Sequence, residues 1–310
     1  MAKFIVTGGA GFLGSHLVDR ILKDDHEVIA VDNLVTGSED NIKHLSNNAK
    51  LTFVKHDIST AWPDLGKVDG IFNLASPASP DDFVPLSVEI LKVGSLGTLN
   101  GLEYAKKHKA WYLQASTSEV YGDPLVHPQK EEYFGNVNCL GVRGVYDEGK
   151  RFSEALLTAF HRRKEVQTSI VRIFNTYGPR MRINDGRVIP NFITQALSNK
   201  PITVYGDGKQ TRSFCYVSDL IEGIYGFWNH KPQGPLNLGN PIEMNMLEAA
   251  KIIIEKTKSK SELVFKPLPE NDPKQRCPDI TKVKKALNWE PKVDLRTGLE
   301  STIEYFRSVL

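Results

Sequence analysis

The feature that most constrains this chain is how it begins. Phe4-Ile5-Val6 is a short apolar run, Thr7-Gly8-Gly9-Ala10-Gly11-Phe12-Leu13-Gly14 follows at once, and a helical stretch opens near Phe12 and runs to Leu22. The glycines satisfy G-x-G-x-x-G through Gly9, Gly11 and Gly14, and the wider G-x-x-G-x-x-G through Gly8, Gly11 and Gly14. A side chain in such a turn would hold a pyrophosphate away from the backbone N–H groups at a helix N-terminus. Glycines alone also make plain turns, so the context decides. A second apolar strand, Val28-Ile29-Ala30-Val31, ends at Asp32. An acidic side chain there accepts hydrogen bonds from a ribose 2′-hydroxyl and repels a 2′-phosphate, so the expected cofactor is NAD rather than NADP.

Further apolar runs follow at Leu51–Val54, Gly70–Ala75, Trp111–Ala115 and Thr168–Phe174. Helical stretches separate them, including one of about twenty residues that runs towards His108. Short continuous apolar strands alternating with helices predict an α/β fold, a doubly wound parallel sheet of the Rossmann type. After Gly178 prolines recur and the elements shorten, which predicts a smaller C-terminal α/β substrate domain. The expected division is 1–177 and 178–310, with the chain near 211–240 returning to the first part. Amphipathic helices are expected near Asn245–Lys256 and Thr281–Leu287.

Composition narrows the function. The 310 residues carry 39 Lys+Arg against 37 Asp+Glu, with 40% hydrophobic and 25% charged residues. That is ordinary globular composition, and a balanced charge gives no electrostatic reason to expect nucleic acid or an anionic membrane as partner. No apolar segment approaches the roughly 18 residues that span a bilayer. Cys139, Cys215 and Cys277 are far apart without C-x-x-C spacing, and the eight histidines show no H-E-x-x-H pattern. Packed or half-buried thiols, no metal and a reducing, cytoplasmic setting are therefore expected. The Lys256–Lys260 stretch reads as a solvated loop, and His161-Arg162-Arg163-Lys164 as a helix C-terminus that complements the macrodipole.

The chemistry points to two further segments. Tyr146-Asp147-Glu148-Gly149-Lys150 places Tyr146 and Lys150 four apart, on one helical face. A phenol of pKa near 10 is a poor base at neutral pH, and an ammonium one turn away favours the phenolate. Ala115-Ser116-Thr117-Ser118-Glu119-Val120-Tyr121-Gly122 closes a strand, and in a doubly wound sheet strand C-termini face the ligand crevice. Thr117, Ser118 and Glu119 are thus expected beside the nicotinamide.

Together, Gly8/Gly11/Gly14, Asp32, Thr117 and Tyr146-x-x-x-Lys150 resemble the extended short-chain dehydrogenase/reductase family, whose members rework nucleotide sugars. The similarity is closer to the branch that decarboxylates UDP-glucuronate to UDP-xylose. It is carried by Ser116–Pro124, by Gly141-Val142-Arg143 with Tyr146–Arg151, and by Arg172–Met181. Asp185-Gly186-Arg187-Val188, Val204–Phe214, and Asp272-Pro273 with Arg276, Pro278, Asp279 and Ile280 extend it across nearly the whole chain.

The resemblance implies roles. Tyr146 would take the proton of the sugar C4 hydroxyl, with Lys150 lowering its pKa and holding the nicotinamide ribose. Thr117 would bond the C4 oxygen, while Ser118, Glu119 and Arg276 match the site of the decarboxylation step. Cofactor contacts would come from Gly8, Gly11, Phe12, Leu13, Gly14, Asp32, Asn33, Asp57 and Leu74, together with Tyr146 and Lys150. Asn175, Asn191, Tyr205, Gln210, Arg212 and Arg276 would grip the UDP-sugar, and the guanidinium forks of Arg212 and Arg276 suit oxyanions. A homodimer joined along the long helices before His108 and after Tyr146 is also implied.

Related 4,6-dehydratases carry an Asp where this chain has Ser118, which disfavours dehydration. A 4-epimerase is the leading enzymatic alternative, and a non-catalytic nucleotide-sugar or NAD-binding protein is the alternative of another class. Two departures from the family pattern stand out. Asp81-Asp82-Phe83-Val84-Pro85-Leu86-Ser87-Val88 replaces a His-Tyr and Asn-Pro-Val pattern, and Val93-Gly94 replaces Thr-Asn. Ala115 also stands for a common Thr. The expectation is that substrate positioning differs around 80–95.

Overall fold

In a computed structural model that describes residues 1–268 and 275–310, the apolar runs become strands, buried on both faces in the middle of the sheet and half-exposed at Leu51–Lys55. The first half contains β1 (Lys3–Thr7), α1 (Phe12–Lys23), β2 (Glu27–Asp32), β3 (Leu51–Lys55) and β4 (Gly70–Asn73). Then come α2 (Ser87–Lys92), α3 (Thr98–His108), β5 (Trp111–Thr117), α4 (Gly144–Arg162) and β6 (Thr168–Ile173). The second half runs through β7 (Thr176–Tyr177), α5 (Val188–Leu197), β8 (Ile202–Tyr205), β9 (Thr211–Ser213), β10 (Cys215–Tyr216) and α6 (Val217–His230). It ends with β11 (Pro235–Leu238), β12 (Glu243–Asn245), α7 (Met246–Thr257), β13 (Leu263–Lys266), β14 (Gln275–Arg276), α8 (Thr281–Leu287) and α9 (Leu295–Val309).

Seven of these strands form one sheet in the order β11-β6-β5-β4-β1-β2-β3. Every neighbouring pair in it is parallel. The order turns at β1, so the crevice beyond the C-terminal ends of β1 and β4 is where a ligand fits. Strand alternation sends Phe4 and Val6 to one face, where they meet Leu17, Phe72 and Leu113, and Ile5 to the other, among Ile71, Tyr112 and Leu157.

A third apolar cluster joins Ile189, Phe192, Ile193, Met246, Ile253, Leu299 and Phe306, and gives the second half its own core. The chain after Ser213 crosses back: β10 pairs with β7, α6 packs on α1, and β11 becomes the edge of the large sheet. Ile280, Val283, Leu287 and Trp289 also join the first core, a return later in the chain than the sequence predicts.

Three local differences matter. The helix expected towards His108 is interrupted by a π-turn at Val93–Gly97 that joins α2 to α3. Lys256 belongs to the last turn of α7 and pairs with Glu300 at 2.7 Å, so the loop begins only after Thr257. Cys139 is exposed, unlike the buried Cys215 and Cys277. No described helix is long and apolar enough to cross a membrane. Asp272 and Pro273 lie outside the described residues.

Candidate functional site

The glycine turn after β1 works by close approach. Gly8 has φ +69°, and a Cβ on Gly14 would lie 1.9 Å from the Gly8 carbonyl oxygen, so no other residue type fits at Gly14 without moving the turn. Gly11 caps α1 without a side-chain bond, and the first turn of α1 holds no acidic residue. Its N–H groups and the positive end of the helix dipole are thereby left for an anion. Asp32 closes the far side: Oδ2 accepts from Ala10 N at 3.0 Å and Oδ1 from Leu34 N at 2.8 Å. Burial raises its pKa, and these backbone bonds oppose the rise. Asp57 is desolvated too, yet bonds from Ser59 and Asn33 hold its carboxyl below the ordinary value. Phe12, Leu13, Asn33, Asp57 and Leu74 line the same cleft, about 390 Å³ in volume. A glycine cradle, an open helix terminus and a carboxylate at the second strand end fit a dinucleotide with a free 2′-hydroxyl.

The cleft continues past Leu13, Leu74, Ser76 and Ala78 into a larger cavity of about 650 Å³. Thr117, Glu119, Tyr146 and Lys150 line it, as do Asn175, Asn191, Tyr205, Gln210, Arg212 and Arg276. Segments far apart in the chain therefore meet on one wall. Asn175 follows β6, Asn191 sits on α5, Tyr205 ends β8 and Arg212 lies in β9. Gln210 donates to the Tyr205 carbonyl at 2.7 Å.

Tyr146 and Lys150 share one face of α4, as their spacing predicts, and the Lys150 nitrogen lies 5.7 Å from the Tyr146 ring centre. Burial dominates the electrostatics of both groups. Burial pushes Tyr146 up to about 12, against a hydrogen bond from Thr117, and Glu119 adds to the rise. Burial also pushes Lys150 down to about 8. Lys150 turns its ammonium to the Ala115 carbonyl at 2.9 Å. Desolvation is the largest cause for both groups, because each is almost inaccessible.

Glu119 lies between two guanidiniums. Arg143 bonds one oxygen, and Arg276 reaches the other at 3.1 Å. Burial alone would raise its pKa, but the charges of Arg276 and Arg143 hold the carboxyl down to about 2. Arg276 is itself only 1% exposed and also donates to Ser118 Oγ at 3.0 Å and to the Gly122 carbonyl at 3.1 Å. Its Nε–H has no acceptor among the described residues. Ser118, predicted to face the ligand, does not line the cavity. It opens the 3₁₀ turn Ser118–Tyr121, which directs its hydroxyl to Arg276.

Several residues of the wall carried no functional expectation. Arg143 stands three residues before Tyr146, one helical turn away, and that spacing was the available signal. Arg187 lines both cavities and is held through Nε and Nη2 by Asp185 at 2.7 and 2.6 Å. Asp147 is buried with one carboxylate oxygen unbonded among the described residues. Burial, and then the Glu119 charge, push it well above the ordinary carboxylate range. Phe83, from the divergent segment, stacks on Tyr146 with ring centres 5.2 Å apart and planes 18° off parallel. In the same segment Gly94 sits against α4: a Cβ there would lie 2.8 Å from the Gly149 carbonyl oxygen. The Phe83 and Gly94 contacts do not follow from local sequence.

Comparison with known proteins agrees with this geometry. Residues 4–239 match the model of the NAD dependent epimerase/dehydratase family. The chain is 52% identical over 305 residues to UDP-glucuronic acid decarboxylase 4 of Arabidopsis thaliana, covering 98% of this chain and 68% of that one. It is 48% identical over 308 residues to UDP-glucuronic acid decarboxylase 1 of Xenopus tropicalis, covering 99% and 73%. Among solved structures, UDP-glucuronic acid 4-epimerase from Bacillus cereus, in complex with UDP-glucuronic acid and NAD, matches with a TM-score of 0.91. That match spans 99% of this chain and 100% of that one, at 28% identity.

Proposed function

The chain belongs to the NAD dependent epimerase/dehydratase family, and from that premise we propose that it is a UDP-glucuronate decarboxylase, an NAD-dependent carboxy-lyase that yields UDP-xylose. The observation that carries the reading is the joining of two groups on one wall. Thr117, Tyr146 and Lys150 supply proton handling at an alcohol, and the Arg143–Glu119–Arg276 cluster stands beside them.

The dinucleotide, when bound, supplies hydride acceptance from the sugar C4 and hydride return at the end, so the reaction has no net redox change. Tyr146 takes the C4 hydroxyl proton. Its burial makes the phenol a poor base alone, and the Thr117 hydrogen bond and the Arg187 charge oppose that rise, while Lys150 lies one turn away with its nitrogen 5.7 Å from the ring. The C5 carboxylate of the 4-keto sugar is β to a carbonyl. Breaking the bond to that carboxyl carbon releases CO₂ and leaves its electron pair as an enolate, which takes up a proton from solvent at C5 to give the 4-keto pentose. Thr117 and protonated Tyr146 donate hydrogen bonds to the enolate oxygen, as an oxyanion site does. Glu119, fixed as a carboxylate, cannot serve as an acid near neutral pH. It holds Arg143 and Arg276 in place at the cavity wall. The Nε–H of Arg276 is buried without an acceptor among the described residues, and a guanidinium at the edge of the cavity suits an oxyanion.

We also propose a homodimer. Val88 and Leu91 on α2, Leu96 in the π-turn, Leu99 on α3 and Phe152 on α4 are exposed large hydrophobic side chains on adjacent elements, which supports a second copy covering them. The three cysteines carry no disulfide, and Cys139 is exposed, which supports a reducing, cytosolic setting.

The test is to incubate the pure protein with UDP-glucuronate, with and without added NAD, and follow the nucleotide sugar by mass. Loss of one CO₂ per sugar without net NADH is expected. An unchanged mass would overturn the proposal, and isomer analysis of the same sample would then report epimerisation or its absence.

A further inference from the structure

The segment in which this chain departs from the family pattern lies on the catalytic tyrosine. Phe83 follows a 3₁₀ turn, Pro80–Asp82, that is tied down on both sides. Ser79 Oγ accepts from Gly186 N at 3.1 Å, and Asp82 pairs with Arg182 at 2.5 Å. One tie holds the segment against the cofactor cleft, through Arg182, and the other against the larger cavity, through Gly186. Directly after them Phe83 turns inward, 2% exposed, and lies on Tyr146 as an offset stack. Ala78, Leu86, Ile90 and Val145 complete the apolar pocket around both rings. The Arg143 guanidinium also lies over the Phe83 ring, 5.7 Å from its centre.

We propose that Phe83 is a positioning residue for the catalytic step, fixing the plane of the Tyr146 ring and screening its hydroxyl from water. The inference rests on reading Tyr146 as the proton acceptor of the proposed reaction. A ring stacked this way cannot swing without breaking the contact, so the hydroxyl keeps its place beside Thr117. A phenylalanine offers that hydroxyl no hydrogen bond, so the contact acts through shape and exclusion of water alone. The other groups that face Tyr146 are Thr117 from β5, Glu119 from the turn after it, Arg187 from the loop before α5, and Asp147 and Lys150 on its own helix. Replacing Phe83 removes none of these groups. Opening the stack lets water reach the phenol, and its pKa falls.

The experiment compares Phe83→Ala, Phe83→Leu and Phe83→Tyr with the parent. In each protein the Tyr146 phenolate is titrated by near-ultraviolet difference against the same protein carrying Tyr146→Phe. In Phe83→Ala the Tyr146 titration is expected to move down by about one pH unit, and the pH limb of kcat by the same amount. kcat should drop roughly 10- to 100-fold, with KM and NAD affinity within about twofold of the parent. Phe83→Leu, which keeps most of the apolar volume, should show a smaller shift in the same direction, and Phe83→Tyr should restore both readouts.

An unmoved Tyr146 titration in Phe83→Ala and Phe83→Leu would overturn the inference. So would kcat, KM and melting temperature falling together with the pH limb fixed, since that is the mark of a merely structural contact. If the parent releases no CO₂ from UDP-glucuronate, the decarboxylase reading fails by itself. The titration, which needs no turnover, still decides whether Phe83 controls Tyr146.

Discussion

The two ends of the ligand cleft are built on different principles. At the cofactor end, seven consecutive residues from Gly8 to Gly14 make the surface, and its accuracy comes from missing side chains: the Gly8 carbonyl occupies the space a Gly14 Cβ would need. At the catalytic end, Phe83, Thr117, Glu119, Arg143, Tyr146, Arg187 and Arg276 arrive from separate segments. There the accuracy comes from side chains that restrain one another, through the Arg143–Glu119–Arg276 pairs and the Phe83–Tyr146 stack. The first end tolerates no added atom. The second depends on charges that are costly to bury alone. Substitutions at the first should therefore act on cofactor binding, and substitutions at the second on chemistry and pH response.

The sharpest separation is expected from Tyr146→Phe. It should lower kcat by on the order of 10²- to 10⁴-fold while NAD binding stays near the parent value, as read by steady-state kinetics beside cofactor titration. The converse is Gly14→Ala, whose Cβ would lie 1.9 Å from a backbone oxygen. A loss of roughly 100-fold in NAD affinity is expected from the displaced turn. Gly226→Ala is the control, because a Cβ there meets nothing closer than 3.6 Å, and calorimetry should find its NAD affinity unchanged.

Arg276→Met leaves Glu119 buried with only Arg143 as its charged partner among the pairs described, and should cost about 3 kcal/mol in urea unfolding. Glu119→Gln with Arg276→Met should recover part of that loss, and strict additivity would contradict the coupling assigned to the pair. Gly94→Ala forces a methyl against the Gly149 carbonyl and should cost about 1–3 kcal/mol. Its effect on kcat should exceed its effect on NAD affinity, because the strain falls on α4 between Tyr146 and Lys150.

The smallest effect is a pH dependence. The folded pKa of Asp147 is raised from 3.8 to about 7, so its contribution is present at low pH and lost as pH rises through that window. Asp147→Asn should match the parent near pH 4 and exceed it at pH 8 by on the order of 2 kcal/mol. A parallel offset at all pH values in urea titrations would show that burial of Asp147 is not the cause.

Much of this molecule was legible beforehand, for identifiable reasons. Apolar runs placed every strand of the large sheet up to β6, because a strand covered on both faces has to be continuously apolar. Tyr146 and Lys150 share a face because an α-helix has 3.6 residues per turn. Harder to read were elements whose role depends on a distant partner. β11 looks like any short loop-flanked segment until β6 offers it an edge. Val93–Gly97 gives no local sign of a π-turn, which takes shape where Ser153 Oγ donates to the Gly94 carbonyl at 2.7 Å. Ser118 was expected at the ligand because it follows Thr117, but the geometry of a 3₁₀ turn and the reach of Arg276 turned it elsewhere.

Sequence by itself determined the parallel sheet, the glycine cradle with Asp32, and the family, since each rests on contiguous residues or on fixed helical and strand periods. Only the tertiary structure decided the protonation chemistry. Glu119 is a fixed carboxylate, Tyr146 is raised and Lys150 lowered because of what surrounds them. Desolvation and Coulomb energy depend on distance in space, and the residues that supply them here meet only when the chain has folded.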